Sequence, residues 1–429
     1  MEKKKEKRKK RYANNITFFK FLMPGKGSKG YREYLETVHI GEIDFPFLII
    51  VLVLLAMGLI MMYSASYAWA IHDTKDNIYD YYFTHQLVYA IVGLVIMFIT
   101  SSKLVDYHLI KNPFITYVFS LVVLVLLALT PFIGKTVGGA TRWIQIGSAF
   151  SFQPSEVAKI AMIFLFAHLM SSNQRAMNTF KGGVLPYMGV MVLVVVLMLM
   201  QPHLSGSIII ASIGLAMMFV GGCRLDHFIG VVIAGVIGIV AGAYYLYTHG
   251  YEFIKNRIDG WLHTFDTANS DLAWQTRNSL IAIGSGGWFG LGFGQSRQKN
   301  LYLPESQNDF VFSIVCEELG FLGALCVIVL FVMMIVRGVY IAVHAPDKYG
   351  FLLVTGITVQ LGLQAFLNMA VVSNAMPNTG ISLPFFSYGG TALIMQLFEI
   401  GIILNVSRQS AVVEDLPDNT GEDASPENA

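Results

Sequence analysis

The chain has 429 residues, 55% of them hydrophobic and only 13% charged, with a mean hydropathy of +0.58 and a formal net charge of +1. Those proportions exclude a soluble globular domain and place the chain in a membrane. Three cysteines exclude a disulfide framework, and Cys316 and Cys326 would lie roughly 15 Å apart along one helix, too far to bond.

The first 43 residues, opening MEKKKEKRKKRY, hold twelve Lys and Arg. They read as a basic cytoplasmic arm that contacts anionic lipids. A nucleic-acid partner is not expected, because no folded reader accompanies the arm. Ten apolar runs follow, each close to the roughly 20 residues a membrane span needs. They are expected at about 44–67, 83–101, 112–131, 155–172, 183–200, 205–221, 226–247, 309–337, 348–372 and 384–408. The first is too long, and lies too far behind a polar arm, to be a cleavable signal peptide. The fold class is therefore an all-α polytopic membrane protein, with its ten-helix domain at 44–408 and a long outer loop, 248–308, between the seventh and eighth helices. Residues 409–429 have the composition of a disordered acidic tail.

Basic residues set the orientation. Lys103, Lys111, Arg175, Lys181, Arg224, Arg337 and Lys348 fall in alternate short loops, which are then cytoplasmic, as are both termini. The five basic residues of 248–308 are outside, which a long loop permits. Nearly every unusual polar residue falls in the outer loops, so the site is expected to open outward, where an activated sugar or other donor would have to arrive attached to lipid.

Asp309 stands where a polar stretch meets the eighth helix, and a carboxylate there either caps the helix or does chemistry. In the outer loop before the fourth helix, Arg142 has the donor fork that suits a phosphate oxygen, and Trp143 suits an interfacial anchor. Glu156 and Lys159, three residues apart on one helix face, read first as a structural ion pair. The stretch 251–265, YEFIKNRIDGWLHTF, resembles a helix lying on the bilayer surface, which would admit lipid-borne substrate sideways. Gln275 and Arg277 follow it. The glycines from Gly284 to Gly294 never make G-x-G-x-x-G, so a dinucleotide site is rejected. They read first as a tight turn or close helix packing, and second as a backbone cradle for pyrophosphate. One of Glu317 and Glu318 is expected to pair with a buried cation or polar group. His85 and His203 are isolated, and no spacing makes a zinc site.

Read together, these motifs resemble the SEDS family typified by FtsW, RodA and SpoVE. The likeness runs through Met62–Ser66, Gly139–Trp143, Gln153–Lys159, Leu303 to Phe310, Glu317–Gly320 and Leu383 to Gly390, and the last of these is nearer to FtsW or SpoVE. The resemblance implies a peptidoglycan glycosyltransferase that polymerises lipid II outside the bacterial cytoplasmic membrane, in cell division or sporulation. Its implied partners are lipid II, a class B penicillin-binding protein, membrane lipids and divisome or sporulation proteins. Asp309 matches the essential acid of that family, and Arg142, Lys159, Glu156, Gln153, Gln275, Arg277 and Ser387 become the expected substrate-binding residues. No cofactor is assigned; a divalent cation, Mg2+ or Mn2+, is the one candidate. One departure stands out: Gln201-Pro202-His203-Leu204-Ser205-Gly206 replaces a common Pro-Asp-Leu-Gly pattern, which puts any metal contact there in doubt. The rival readings are a lipid II flippase and a non-catalytic scaffold.

Overall fold

A computed structural model describes residues 42–74, 78–137, 140–146, 150–248, 252–265 and 271–410. The expected basic arm and acidic tail lie almost wholly outside these residues. Among the described residues, ten helices are long and apolar enough to cross a membrane. They are α1 (Phe45–Asp73), α2 (Tyr81–Ser101), α3 (Pro113–Ile133), α4 (Pro154–Ser172), α5 (Leu185–Leu199, behind a short helix Phe180–Gly183), α6 (Leu204–Gly221) and α7 (Leu225–Thr248). After two shorter helices, α8 (Glu252–Leu262) and α9 (Asp271–Ser285), come α10 (Val311–Val343), α11 (Lys348–Val372) and α12 (Gly390–Ser410). The last span begins six residues later than expected, because Pro384 and the segment around it form an irregular, buried loop instead.

Polarity sorts the bundle. The helices with the most polar side chains, α4, α11 and α12, are its most buried members, whereas the strongly apolar α3 and α10 are exposed over much of their length. In a bilayer the outward face can be purely apolar, while Gln, Glu, Lys and Asn must find partners inside the protein. Gln360 Nε2 accordingly donates to Glu399 Oε1 at 2.5 Å between α11 and α12, and Asn405 Nδ2 donates to the Thr100 and Val105 carbonyls at 2.7 Å each. At the face away from the cavity described below, Asp44 caps α1 and also takes a forked bond from Arg337 of α10 at 2.7–3.0 Å.

The loop between α3 and α4 is not irregular. It folds as a small antiparallel sheet, β1 (Lys135–Val137), β2 (Ala140–Ile146) and β3 (Phe150–Phe152), with Thr136 opposite Thr141 and Ile144 opposite Phe152. Thr136, Val137, Thr141, Ile144 and Ile146 are β-branched types that fit a short twisted ribbon.

The glycine run works as packing. Gly320 takes φ 68°, ψ −168°, which interrupts α10 and leaves the helical hydrogen bonds of that turn unmade. Segment 287–292 replaces them in both directions. Leu291 and Gly292 N–H groups donate to the Glu317 and Glu318 carbonyls at 2.9 and 3.0 Å, and Phe321 and Leu322 N–H groups donate to the Gly287 and Trp288 carbonyls at 2.8 and 3.2 Å. The approach is so close that a Cβ at Gly290 would stand 2.1 Å from the Glu318 carbonyl oxygen. The two acids of the same turn complete the lock. Glu318 accepts from Lys299 Nζ at 2.9 Å and Ser64 Oγ at 2.7 Å, while Glu317 accepts from Ser296 Oγ at 2.5 Å and Arg297 N at 3.0 Å. The expected buried pair is thus Glu318 with Lys299, and these backbone donors are spent on α10 instead of an anion.

Candidate functional site

Where the spans break at one end of the bundle, their loops enclose a cavity of about 760 Å³. Its walls come from the β-sheet, the Pro202–Gly206 turn, α8, α9, the segment before α10 and the loop between α11 and α12. Asp309 lies on this cavity, half-buried. Its carboxylate is not the cap of α10: Phe310 occupies the N-cap position and makes no side-chain cap bond. Instead the Asp309 backbone carbonyl accepts from Asn368 Nδ2 at 2.7 Å, and the same amide donates to the Ile381 carbonyl at 2.7 Å. That double bond fixes the two strands of chain between which the carboxylate emerges. A Cβ at Gly380 would be 3.1 Å from Asp309 Oδ2, so glycine leaves the acid its room.

Burial, with help from Glu305, pushes the Asp309 carboxyl up to about 6, against the pull of Arg142 and Arg257. A carboxylate at that value is ionised at neutral pH yet basic enough to accept a proton, the condition for general-base catalysis.

Each cation is held by its own wall. Arg142, on β2, donates through Nη2 to the Pro202 carbonyl. Arg257, on α8, donates through Nη1 to the Asn378 carbonyl at 2.5 Å, and α8 is itself tied down by Trp261 Nε1, which donates to the Asn374 carbonyl at 3.0 Å. Asn378 Nδ2 then reaches Gln275 Oε1 at 2.9 Å, giving that side of the cavity a row of amides. Toward the bundle interior, Lys159 Nζ meets Glu156 Oε2 at 2.8 Å, both buried, as the structural reading of that pair requires.

His203 is the residue whose role the sequence leaves open. Its Nδ1 accepts the Gly206 N–H at 2.8 Å and caps α6, so the neutral ring carries its proton on Nε2, which faces the Ser155 hydroxyl oxygen at 3.4 Å. Burial, then Arg142 and Lys159, hold its pKa down to about 3, which keeps the cap uncharged.

Seven expected residues, Asp309, Arg142, Glu156, Lys159, Gln153, Gln275 and Ser387, line the one cavity. Ser387 does so with a committed hydroxyl, which donates to the Asn308 carbonyl at 2.7 Å and accepts from Leu383 N at 2.7 Å. Arg277 is not among the residues that line the cavity. It stands two residues after Gln275 on α9, and side chains two apart on a helix point to nearly opposite faces. Arg257 and Asn378 were missed. Arg257 sits in a stretch whose amphipathic pattern spoke of a membrane surface, and only the tertiary fold turns it inward. Among the described residues no group of three or more His, Cys, Asp or Glu could hold a metal ion. With His203 spent as a neutral cap, the loop that departs from the common pattern supplies no carboxylate either.

The model of the FtsW, RodA and SpoVE family, described as cell cycle proteins, matches residues 45–412, and the chain belongs to that family. It is 38% identical to stage V sporulation protein E of Bacillus subtilis over 86% of its own length and 97% of that protein. It is 36% identical to a probable peptidoglycan glycosyltransferase FtsW of Trichlorobacter lovleyi, over 86% and 94% of the two chains. In fold it is similar to a chain of a solved peptidoglycan synthase complex that coordinates polymerization and crosslinking, with a TM-score of 0.70 and 24% identity over 86% of this chain and 98% of that one. Its fold is also similar to the rod shape determining protein RodA of Thermus thermophilus, with a TM-score of 0.61 and 24% identity over 85% and 97%.

Proposed function

We propose that this protein is a peptidoglycan glycosyltransferase that polymerises lipid II at the outer face of the cytoplasmic membrane, with Asp309 as general base. Asp309 takes the proton from the 4-hydroxyl of the acceptor's N-acetylglucosamine. That oxygen forms a bond to the anomeric carbon of the lipid-linked donor, and the carbon–oxygen bond to undecaprenyl pyrophosphate breaks, the pyrophosphate leaving with the electron pair. Attack from the opposite side inverts the α-linked donor to a β-1,4 glycoside. The leaving group needs no proton if its charge is met by cations, so a second catalytic acid is unnecessary.

The observation that carries this reading is a half-buried carboxylate, set at about 6, facing a polar cavity that also holds Arg142 and Arg257. The family and the names of the relatives above support it. A class B penicillin-binding protein is the partner we assign, since polymerised strands need crosslinking.

The test is to incubate the purified full chain, alone and with such a synthase, with fluorescent lipid II in detergent and to resolve the products by size. Glycan strands are expected. A preparation that yields none, while moving lipid II across vesicle bilayers, would make the chain a flippase; neither activity would leave a scaffold.

A further inference from the structure

One wall of the cavity carries rings instead of charges. Tyr81, His85 and Tyr89 fall four residues apart on α2 and all three line the cavity, so they form a file along one helix face with a rise of about 6 Å per step. The Tyr81 and His85 ring centroids are 4.4 Å apart at 45°, and His85 Nδ1 donates to the Tyr81 carbonyl at 2.7 Å, which leaves Nε2 of the neutral ring as an acceptor. Tyr89 lies against the first turn of α12, where a Cβ at Gly390 would stand 2.6 Å from its ring. Aromatic residues that anchor a helix at a membrane surface face lipid, but the outward face of α2 is Leu87, Val88, Ile91 and Val95. The file is fixed relative to Asp309. Gln86, fully buried, donates through Nε2 to the Ser387 carbonyl at 3.0 Å and accepts from Gly389 N at 3.2 Å, and Tyr82 meets the Tyr388 ring edge-on at 4.9 Å. That same loop holds the residues before Asp309: Ser387 Oγ donates to the Asn308 carbonyl at 2.7 Å and Tyr388 N to the Gln307 carbonyl at 2.9 Å. The β-sheet also joins here. Thr391 Oγ1, beside Gly390, donates to the Ser151 carbonyl at 3.0 Å, and Gln145, which lines the cavity, is the cross-strand neighbour of Ser151.

We propose that Tyr81, His85, Tyr89 and Gln145 form a subsite for the sugar rings of a β-1,4-linked N-acetylhexosamine strand, beside the reacting sugars at Asp309. The choice of sugar rests on the polymerase reading. A pyranose whose substituents are equatorial turns a face of axial C–H groups outward, and those weakly positive hydrogens fit the negative face of an aromatic ring. Three rings in a file engage more than one sugar of a strand. Gln145 adds an amide that both donates to and accepts from hydroxyl or acetamido groups, and His85 Nε2 accepts from a hydroxyl. Such a subsite keeps hold of a growing strand between additions, so that one strand is extended many times before it is released.

The experiment titrates the full-length protein in detergent with chitotetraose, the β-1,4 tetramer of N-acetylglucosamine, and with maltotetraose, an α-1,4 tetramer of glucose, followed by calorimetry. Wild type is expected to bind chitotetraose about 10-fold more tightly than maltotetraose. Tyr81→Ala and Tyr89→Ala should each weaken chitotetraose about 5-fold, while Tyr81→Phe and Tyr89→Phe, which keep the ring, should stay within about twofold of wild type. Tyr81 is 38% exposed, so its truncation leaves the packing of α2 in place. With fluorescent lipid II, the alanine variants should give strands about threefold shorter, because affinity lost at a subsite is felt mainly as faster release. The phenylalanine variants should restore the length, which a damaged fold would not allow. Equal binding of the two tetramers by wild type, alanine variants with wild-type affinity or wild-type strand length, or phenylalanine variants as impaired as the alanine ones each overturn the subsite. A wild type that shows the preference and its dependence on the rings but makes no polymer overturns the polymerase reading and leaves the subsite standing.

Discussion

At the scale of single residues, the role we propose for Asp309 carries a cost in stability. A carboxyl whose pKa in the fold lies above its unfolded value binds its proton more tightly when folded. Its contribution to stability is therefore fully present at low pH and is lost as pH rises from about 4 to about 6, the value at which burial and Glu305 place it. At neutral pH the charged acid destabilises the fold, so Asp309→Asn should melt at a higher temperature than wild type, by the equivalent of roughly 1–3 kcal/mol. A lower melting temperature would show that the carboxylate is a structural partner instead. His203 is a simpler case, since an uncharged cap is all that α6 needs from it. His203→Asn supplies an acceptor for the Gly206 N–H and should keep the melting temperature, whereas His203→Ala should cost about 1 kcal/mol, measured by thermal unfolding in detergent. Position 309 was readable because an acid at a membrane boundary is rare; Arg257 was not, because a basic residue in an amphipathic stretch has a ready explanation at the bilayer surface.

At the scale of elements, the lock between segment 287–292 and the interrupted turn of α10 shows why the outer loop holds its shape. All four backbone groups freed by Gly320 are re-paired, as an apolar environment demands. Gly290→Ala would drive a methyl into the Glu318 carbonyl from a left-handed backbone position and should cost about 2–4 kcal/mol. Glu318→Gln would strand the Lys299 ammonium beside Ser64 and should cost about 3–5 kcal/mol. Both are checked by thermal unfolding followed by size-exclusion chromatography, and a wild-type profile for either would mean that the lock does not set stability. Nine spans begin within a few residues of the expected positions, because a run of apolar residues long enough to cross a bilayer is an unambiguous local signal. The β-sheet between α3 and α4 escaped notice, since its short strands sit among glycines that read as a loop. The glycine interlock was legible only as close packing; its partner on α10 lies some thirty residues away, beyond any local pattern.

At the scale of the whole molecule, the cavity gathers chain segments that lie far apart in sequence, and it opens at one end of the bundle. We propose that this end is the outer face, in keeping with the positive charges of the short loops. In a chain freed of its native cysteines, Tyr302→Cys, at an exposed position on the cavity end, should react with a membrane-impermeant maleimide in intact cells. His344→Cys, at the opposite end of α10, should react only after permeabilisation. The reverse labelling would put the cavity in the cytosol and contradict the proposed orientation.

The central claim is that Asp309 removes the proton from the incoming sugar. Its most direct test is the rate of strand formation from fluorescent lipid II by wild type and Asp309→Asn, each with the synthase partner, from about pH 5 to about pH 8. The expected result is a wild-type rate that falls tenfold per unit below about pH 6, and a folded Asp309→Asn protein that makes no strands at any pH. Strands from Asp309→Asn at a rate comparable to wild type, or a wild-type rate that does not change across that range, would contradict it.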